Sequence, residues 1–223
     1  MKKKVVLLVC LLISAGLGGG FCEVSIATKV IDRSNILSAD IPDPAADLSG
    51  LVLTLQNLPA GFTEMPPATI KNIVSRTPNF KPASVFGYYK NDDQQFQVVT
   101  GFTVQLPNRI DRAKFDAEIR EGSFAQQFSQ GLNSRNKEFQ FANLTALTLE
   151  DQIGEVSAGW TTQGKIQGVT MNVELALFRR GKIGSFMAIM YLDGTKPTIT
   201  ISEAARKLDS RMMELKPDLT QPQ

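Results

Sequence analysis

The stretch from Val169 to Leu192, VTMNVELALFRRGKIGSFMAIMYL, limits the fold more than any other part of the chain. From Val169 to Phe178, Val169, Met171, Val173, Leu175 and Leu177 alternate with Thr170, Asn172, Glu174 and Ala176. A period of two gathers the first set on one face of a strand. From Ile183 to Tyr191 the chain is apolar at both parities, with Ile183, Met187 and Ile189 against Phe186, Ala188 and Met190. A strand apolar on both sides is central in its sheet or covered on both faces. Arg179, Arg180, Gly181 and Lys182 join the two runs, and Gly181 supplies the positive φ that a tight hairpin favours.

Four further runs read as strands: Ser84 to Tyr89, Gln95 to Leu106, Phe139 to Leu149 and Gly154 to Thr162. In the second of these, Phe96, Val98, Thr100, Phe102, Val104 and Leu106 share a parity, which predicts one buried face. The run Leu51 to Leu58 fits a strand or a helix equally well. Pro59 and Gly61 then turn the chain, Phe62 and Met65 re-enter the core, and Pro66 and Pro67 open a short helix. Asp111 is the expected N-cap of a helix over Arg112 to Glu121, with Phe115 and Ile119 on one face. Gly122 breaks it, and Ser123 restarts a second segment carrying Phe124, Phe128 and Leu132. Thr200 and Glu203 form a capping-box pattern before a last helix, whose stripe is Ile201, Ala204, Ala205, Leu208, Met212 and Leu215. Pro217 ends it.

This order predicts an α+β fold: a single antiparallel sheet of about six strands, with a broken central helix and a C-terminal helix packed on it. The 223 residues divide into a signal peptide over 1–27, a flexible lead-in over 28–50, one domain over 51–216 and a polar tail over 217–223. The signal reading rests on Lys2, Lys3 and Lys4, the apolar run Val5 to Ile13 and the small residues up to Gly20. Cleavage after Gly20 and after Ala27 are both compatible with it. An uncleaved anchor reaches the ~20 apolar residues of a spanning helix only by counting Glu23 and four glycines. Lipidation fits neither Cys10 nor Cys22, since neither stands behind a small residue.

Composition narrows the chemistry. The chain has no histidine, and its two cysteines lie in or beside the signal. That excludes Ser-His-Asp and Cys-His nucleophile systems and His- or Cys-ligated metals from the exported domain, which needs no disulfide in an oxidising compartment. Removing residues 1–27 takes three lysines and one glutamate from 24 basic and 22 acidic residues and leaves 21 of each. A balanced domain has no general electrostatic attraction for nucleic acid or an acidic bilayer.

The cadence LVLTLQNLPAGFTEMP, followed by FRRGKIGSFMAIMY and ISEAARKLDSRM, resembles that of uncharacterised exported bacterial proteins, cyanobacterial ones especially. The element order is similar to the PsbP/Mog1-like α+β fold of photosystem-associated lumenal proteins. These resemblances imply an exported α+β domain and assign no functional residue.

The candidate sites each have a plain alternative. Asp92 and Asp93 fall in an Asn/Asp turn, which explains them without a cation needing about six to eight oxygen ligands. Glu150, Asp151 and Glu155 cluster in sequence, but a surface turn does not desolvate carboxylates for acid–base work. Trp160, Tyr88 and Tyr89 read as packing, with ligand stacking as the other reading. The phenylalanines of the broken helix either cover the sheet or line an apolar pocket. Arg179, Arg180 and Lys182 are the one concentrated basic site, read as a solvated turn or as a contact for a partner. No catalytic, cofactor or metal residue is assigned. The reading is therefore an exported, extracytoplasmic, non-enzymatic module (periplasm, thylakoid lumen or secreted) that binds an envelope or membrane-associated partner. An apolar-ligand or lipid carrier is the alternative and a carboxylate-dependent hydrolase the least favoured.

Overall fold

A computed structural model describes residues 48–75, 82–92, 95–126, 128, 139–150, 152–166 and 168–220. The signal-like segment, most of the lead-in, Asp93, Leu132 and Asp151 lie outside them.

The strands are β1 (Thr63–Glu64), β2 (Ser84–Asn91), β3 (Phe96–Gln105), β4 (Phe139–Phe141), β5 (Thr145–Leu147), β6 (Val156–Ile166), β7 (Val169–Arg180) and β8 (Ile183–Leu192). The helices are α1 (Pro67–Ser75), α2 (Arg109–Glu121), α3 (Ile201–Leu215) and α4 (Pro217–Thr220). The strands form one antiparallel sheet in the order β1-β2-β3-β8-β7-β6-β4, and β5 also pairs with β6. The fold is α+β as expected, but the sheet holds seven strands along its path plus β5, where about six were expected. The extra ones are β1, too short to show a period, and the division of the run Phe139 to Leu149. Phe141 stands opposite Gly164 and Thr145 opposite Thr161, so three residues face two. That one-residue excess is a bulge. It is pinned by the Ala142 amide on the Gln163 carbonyl (3.0 Å) and the Thr162 hydroxyl on the Ala142 carbonyl (2.7 Å). A bulged, broken edge also discourages further strand pairing.

The hairpin β7–β8 is where the alternation placed it, and β8 lies between β3 and β7 with residues on both faces buried. The prediction of a single buried face for β3 is corrected. Val98 and Phe102 lie in the core under α2, while Gln97, Val99 and Thr103 are buried as well. The sheet has a layer on each side. Leu175, Leu177, Phe102 and Phe186 pack with Phe115 and Ile119 of α2 and with Phe124 and Phe128 of the segment after Gly122. Ala176, Phe178, Val99 and Met187 pack with α3 and with Leu51 and Leu53.

The cap of α2 differs from expectation. Asn108 is the N-cap, and its side chain accepts the Asp111 amide at 2.9 Å. Asp111 is instead the acidic residue of the first turn, where the helix dipole favours it. Gly122 ends α2 in the left-handed region, at φ 69°. The α3 capping box is present, with Thr200 accepting the Glu203 amide and Glu203 the Thr200 amide. Leu215 is 44% exposed and not part of the α3 stripe.

The folded unit is also longer than residues 51–216. Leu48 is 2% exposed within the α3-side core. Residues 217–220, read as polar tail, form α4 and bury Leu219 and Thr220. In both places a single leucine fills a hole made by distant elements, which local polarity does not disclose.

Candidate functional site

Adjacent residues of a strand point to opposite faces. At the end of β7 this sends the two arginines of the hairpin tip in opposite directions. The Arg179 guanidinium goes to the α2 side, where Nε and Nη2 donate to the two carboxylate oxygens of Asp116 at 2.6 and 2.9 Å. Its Nη1 donates to Glu155 Oε2 at 2.7 Å and to the Gly181 carbonyl at 2.9 Å. Arg180 goes to the α3 side, where Nε and Nη2 donate to the oxygens of Asp209 at 2.8 and 2.5 Å. Both forks are bidentate, the geometry for which arginine is suited and lysine is not. Hydrogen bonding to Asp116 raises the Arg179 pKa and hydrogen bonding to Asp209 raises that of Arg180, in each case against desolvation.

The turn itself is built into this network. Glu155 Oε1 accepts the Gly181 amide at 2.8 Å, and Asp209 Oδ2 accepts the Gly154 amide at 3.0 Å. The Lys182 amide donates to the Leu219 carbonyl at 2.7 Å, so α4 closes over the tip. Gly181 has φ 55°, and a Cβ there would collide with the Leu219 carbonyl and the Thr220 backbone.

The solvated-turn reading of the tip is thus corrected. Arg179 and Gly181 are buried, and Arg180 and Lys182 are half-buried. The partners Asp116 and Asp209 carry no signal of this role in the sequence. They lie 63 and 29 residues from their arginines, and no local pattern links them.

The remaining candidates separate. Glu155 is committed to Arg179, and the Glu150 amide is held by the Ser202 hydroxyl at 3.0 Å. Asp92 accepts the Gln95 amide at 2.7 Å, a turn contact. Tyr88 donates to the Leu53 carbonyl and is buried, which raises its pKa. Tyr89 packs at the edge of the α2-side core. Trp160 is 7% exposed, with its ring 5.9 Å from that of Phe124. Phe186 lies 5.1 Å from Phe102, 5.4 Å from Phe124 and 5.8 Å from Phe128. These rings occupy the space beneath the bent helix. Among the described residues no group of three or more acidic, His or Cys side chains is placed to hold a metal. No described helix is long and apolar enough to cross a membrane.

A groove of about 420 Å³ lies where the C-terminal end of α2 meets β5 and β6. Ile119, Gly122, Leu147, Leu149, Ala158 and Trp160 line it together with Arg120 and Glu121. Asp116, held by Arg179, lies one helical turn before Arg120, so the Arg179 clamp fixes the helix that forms one wall.

No protein-family model and no curated protein matches the chain. A solved structure, the crystal structure of LpqN involved in cell envelope biogenesis of Mycobacterium tuberculosis, aligns over 69% of this chain and 78% of its own. The identity is 19% and the TM-score 0.33, a likeness too slight to carry fold or function across.

Proposed function

We propose that this chain is an exported, non-enzymatic module that binds a partner protein or assists assembly in the cell envelope, and that the groove between α2 and β5–β6 is its contact site. The groove carries the reading. It is a recess with apolar and charged lining residues on a domain whose conspicuous charges, Arg179, Arg180, Glu155, Asp116 and Asp209, are committed to one another. The signal-like N-terminus supports an extracytoplasmic location. Arg179 and Arg180 act here as positioning residues: they hold the layers that shape the surface and do not meet the partner. The carrier reading has less support, because phenylalanine rings in mutual contact fill the region a cargo would need.

Site-specific photocrosslinking of the full chain in its host envelope tests this. A photoreactive residue at Arg120 or Glu121 is expected to give one discrete protein adduct that is absent when the probe sits at Lys207 on α3. Equal labelling at all three positions, or none at the groove, would overturn the assignment.

A further inference from the structure

The groove borders an open edge of the sheet. Thr145, Ala146 and Leu147 of β5 stand opposite Thr161, Trp160 and Gly159 of β6, and no other described strand pairs with β5. In an antiparallel pair the backbone groups of successive residues point alternately towards the partner strand and away from it. At least one of these three residues therefore directs its N–H and C=O outward. Thr145 and Ala146 are exposed and Leu147 is half-buried. The bulge after Phe141 stops one straight strand from pairing along β4 and β5 together, so this edge presents β5 alone.

The side chains set what the edge fits. Residues directly opposite one another share a face of the sheet. Ala146 stands opposite Trp160, which belongs to the α2-side core. A residue paired with Ala146 from outside thus points its side chain to the α2 side, where the groove lies. The lining there is small at Ala146 and Ala158 and apolar at Ile119 and Trp160, which leaves space for one large apolar side chain. Arg120 and Glu121 stand on the rim, both exposed, and neither is in an ion pair among the described residues. The open strands of this chain do not supply the fit. A second copy of β5 brings another alanine, and β1, at the opposite edge, brings Thr63 and Glu64.

Resting on the groove assignment, we propose that the partner binds by strand addition: a short extended segment of another protein pairs with β5 and seats one large apolar side chain opposite Ala146. Charged residues two positions from that anchor lie on the same face and meet Arg120 and Glu121 with opposite sign. Main-chain hydrogen bonds along β5 fix the register, and the groove selects the anchor.

A displayed library of random decapeptides, selected on the full chain, supplies the probe. The selected peptides are expected to share a Leu, Ile, Phe or Trp with a charge two positions away. A saturating amount of one of them should slow hydrogen exchange in β5 at least about tenfold and leave α3 amides unchanged. Ala146→Phe fills the groove from an exposed position, so it should keep the wild-type unfolding midpoint and weaken peptide binding at least about tenfold. Lys207→Ala should bind as the wild type does. A library without binders, or binders equally tight on Ala146→Phe, would overturn the proposal. So would β5 protection that rises with chain concentration in the absence of peptide, the mark of a second copy at this edge. A partner crosslinked from Arg120 or Glu121 whose complex leaves β5 amides unprotected would overturn strand addition and leave the groove assignment standing. Absence of any groove adduct in the envelope would remove both.

Discussion

Arg179 and Arg180 are neighbours in sequence and clamp opposite layers of the fold: one takes Asp116 of α2 and the other takes Asp209 of α3. The pleat of a strand makes this division unavoidable for two consecutive long side chains. What looks like a positive tip in one dimension is, in three, the point where sheet, both helix layers and the C-terminal turn are tied together.

Gly181 is the hinge of that knot. Its positive φ and the approach of the Leu219 and Thr220 backbone leave no room for a side chain. Gly181→Ala is expected to cost ~1–3 kcal/mol in urea unfolding and to undock α4, read as faster hydrogen exchange of the Lys182 amide that donates to the Leu219 carbonyl. Gly168→Ala, a positive-φ glycine with open space around it, should leave the exchange of the Lys182 amide unchanged.

Gln97 ties β3 to the entrance of α3. Its amide is 1% exposed, donates to the Ile199 carbonyl and accepts the Thr198 amide, both at 2.7 Å. Gln97→Leu leaves two backbone groups without these partners, at ~2–3 kcal/mol in denaturant unfolding. Gln97→Glu should be milder on acidification, because the protonated acid again offers a donor.

The α3 cap gives a signed pH dependence. Hydrogen bonds from the Thr200 backbone, ahead of all other causes, lower the Glu203 pKa below its ordinary value. The folded value lies below the unfolded one, so the stabilisation is present above the unfolded value and is lost as pH falls through the folded one. Glu203 is largely exposed, and solvent screening limits the effect to a few tenths of a kcal/mol. Thr200→Ala should cost ~1 kcal/mol at neutral pH, and Glu203→Gln should flatten the acid limb of the stability curve.

Phe186 is the centre of the aromatic face, in ring contact with Phe102, Phe124 and Phe128. Phe186→Ala is expected to cost ~3–5 kcal/mol. Trp160, the single tryptophan, reports on the same cluster through Phe124. Its emission should shift to longer wavelength in that variant even before global unfolding.

The parts of this fold that were legible in sequence are those governed by local periodicity and local hydrogen bonding. The two-residue alternation of β7, the two-sided apolar run of β8, the Gly122 break and the Thr200–Glu203 box each lie within one element. The misreadings share a cause. Asn108 and Asp111 are both good caps, and only the backbone at Asn108 decides between them. The bulge after Phe141 depends on the register with β6. Leu48 and Leu219 are buried by elements far away in the chain. The clamp was invisible for the same reason. Arginine beside glycine reads as an exposed turn unless its carboxylates are known, and Asp116, Glu155 and Asp209 are brought to it only by the completed fold.

The most direct measurement is denaturant unfolding of Arg179→Met, Arg180→Met and Lys182→Ala side by side, with Asp116→Asn/Arg179→Met and Asp209→Asn/Arg180→Met completing the two cycles. An internal clamp predicts losses of ~3–5 kcal/mol for each arginine variant, partial recovery in each double variant, and a change within ~0.5 kcal/mol for Lys182→Ala. Three variants of wild-type stability, with no coupling in either cycle, would contradict the clamp and return the tip to the surface.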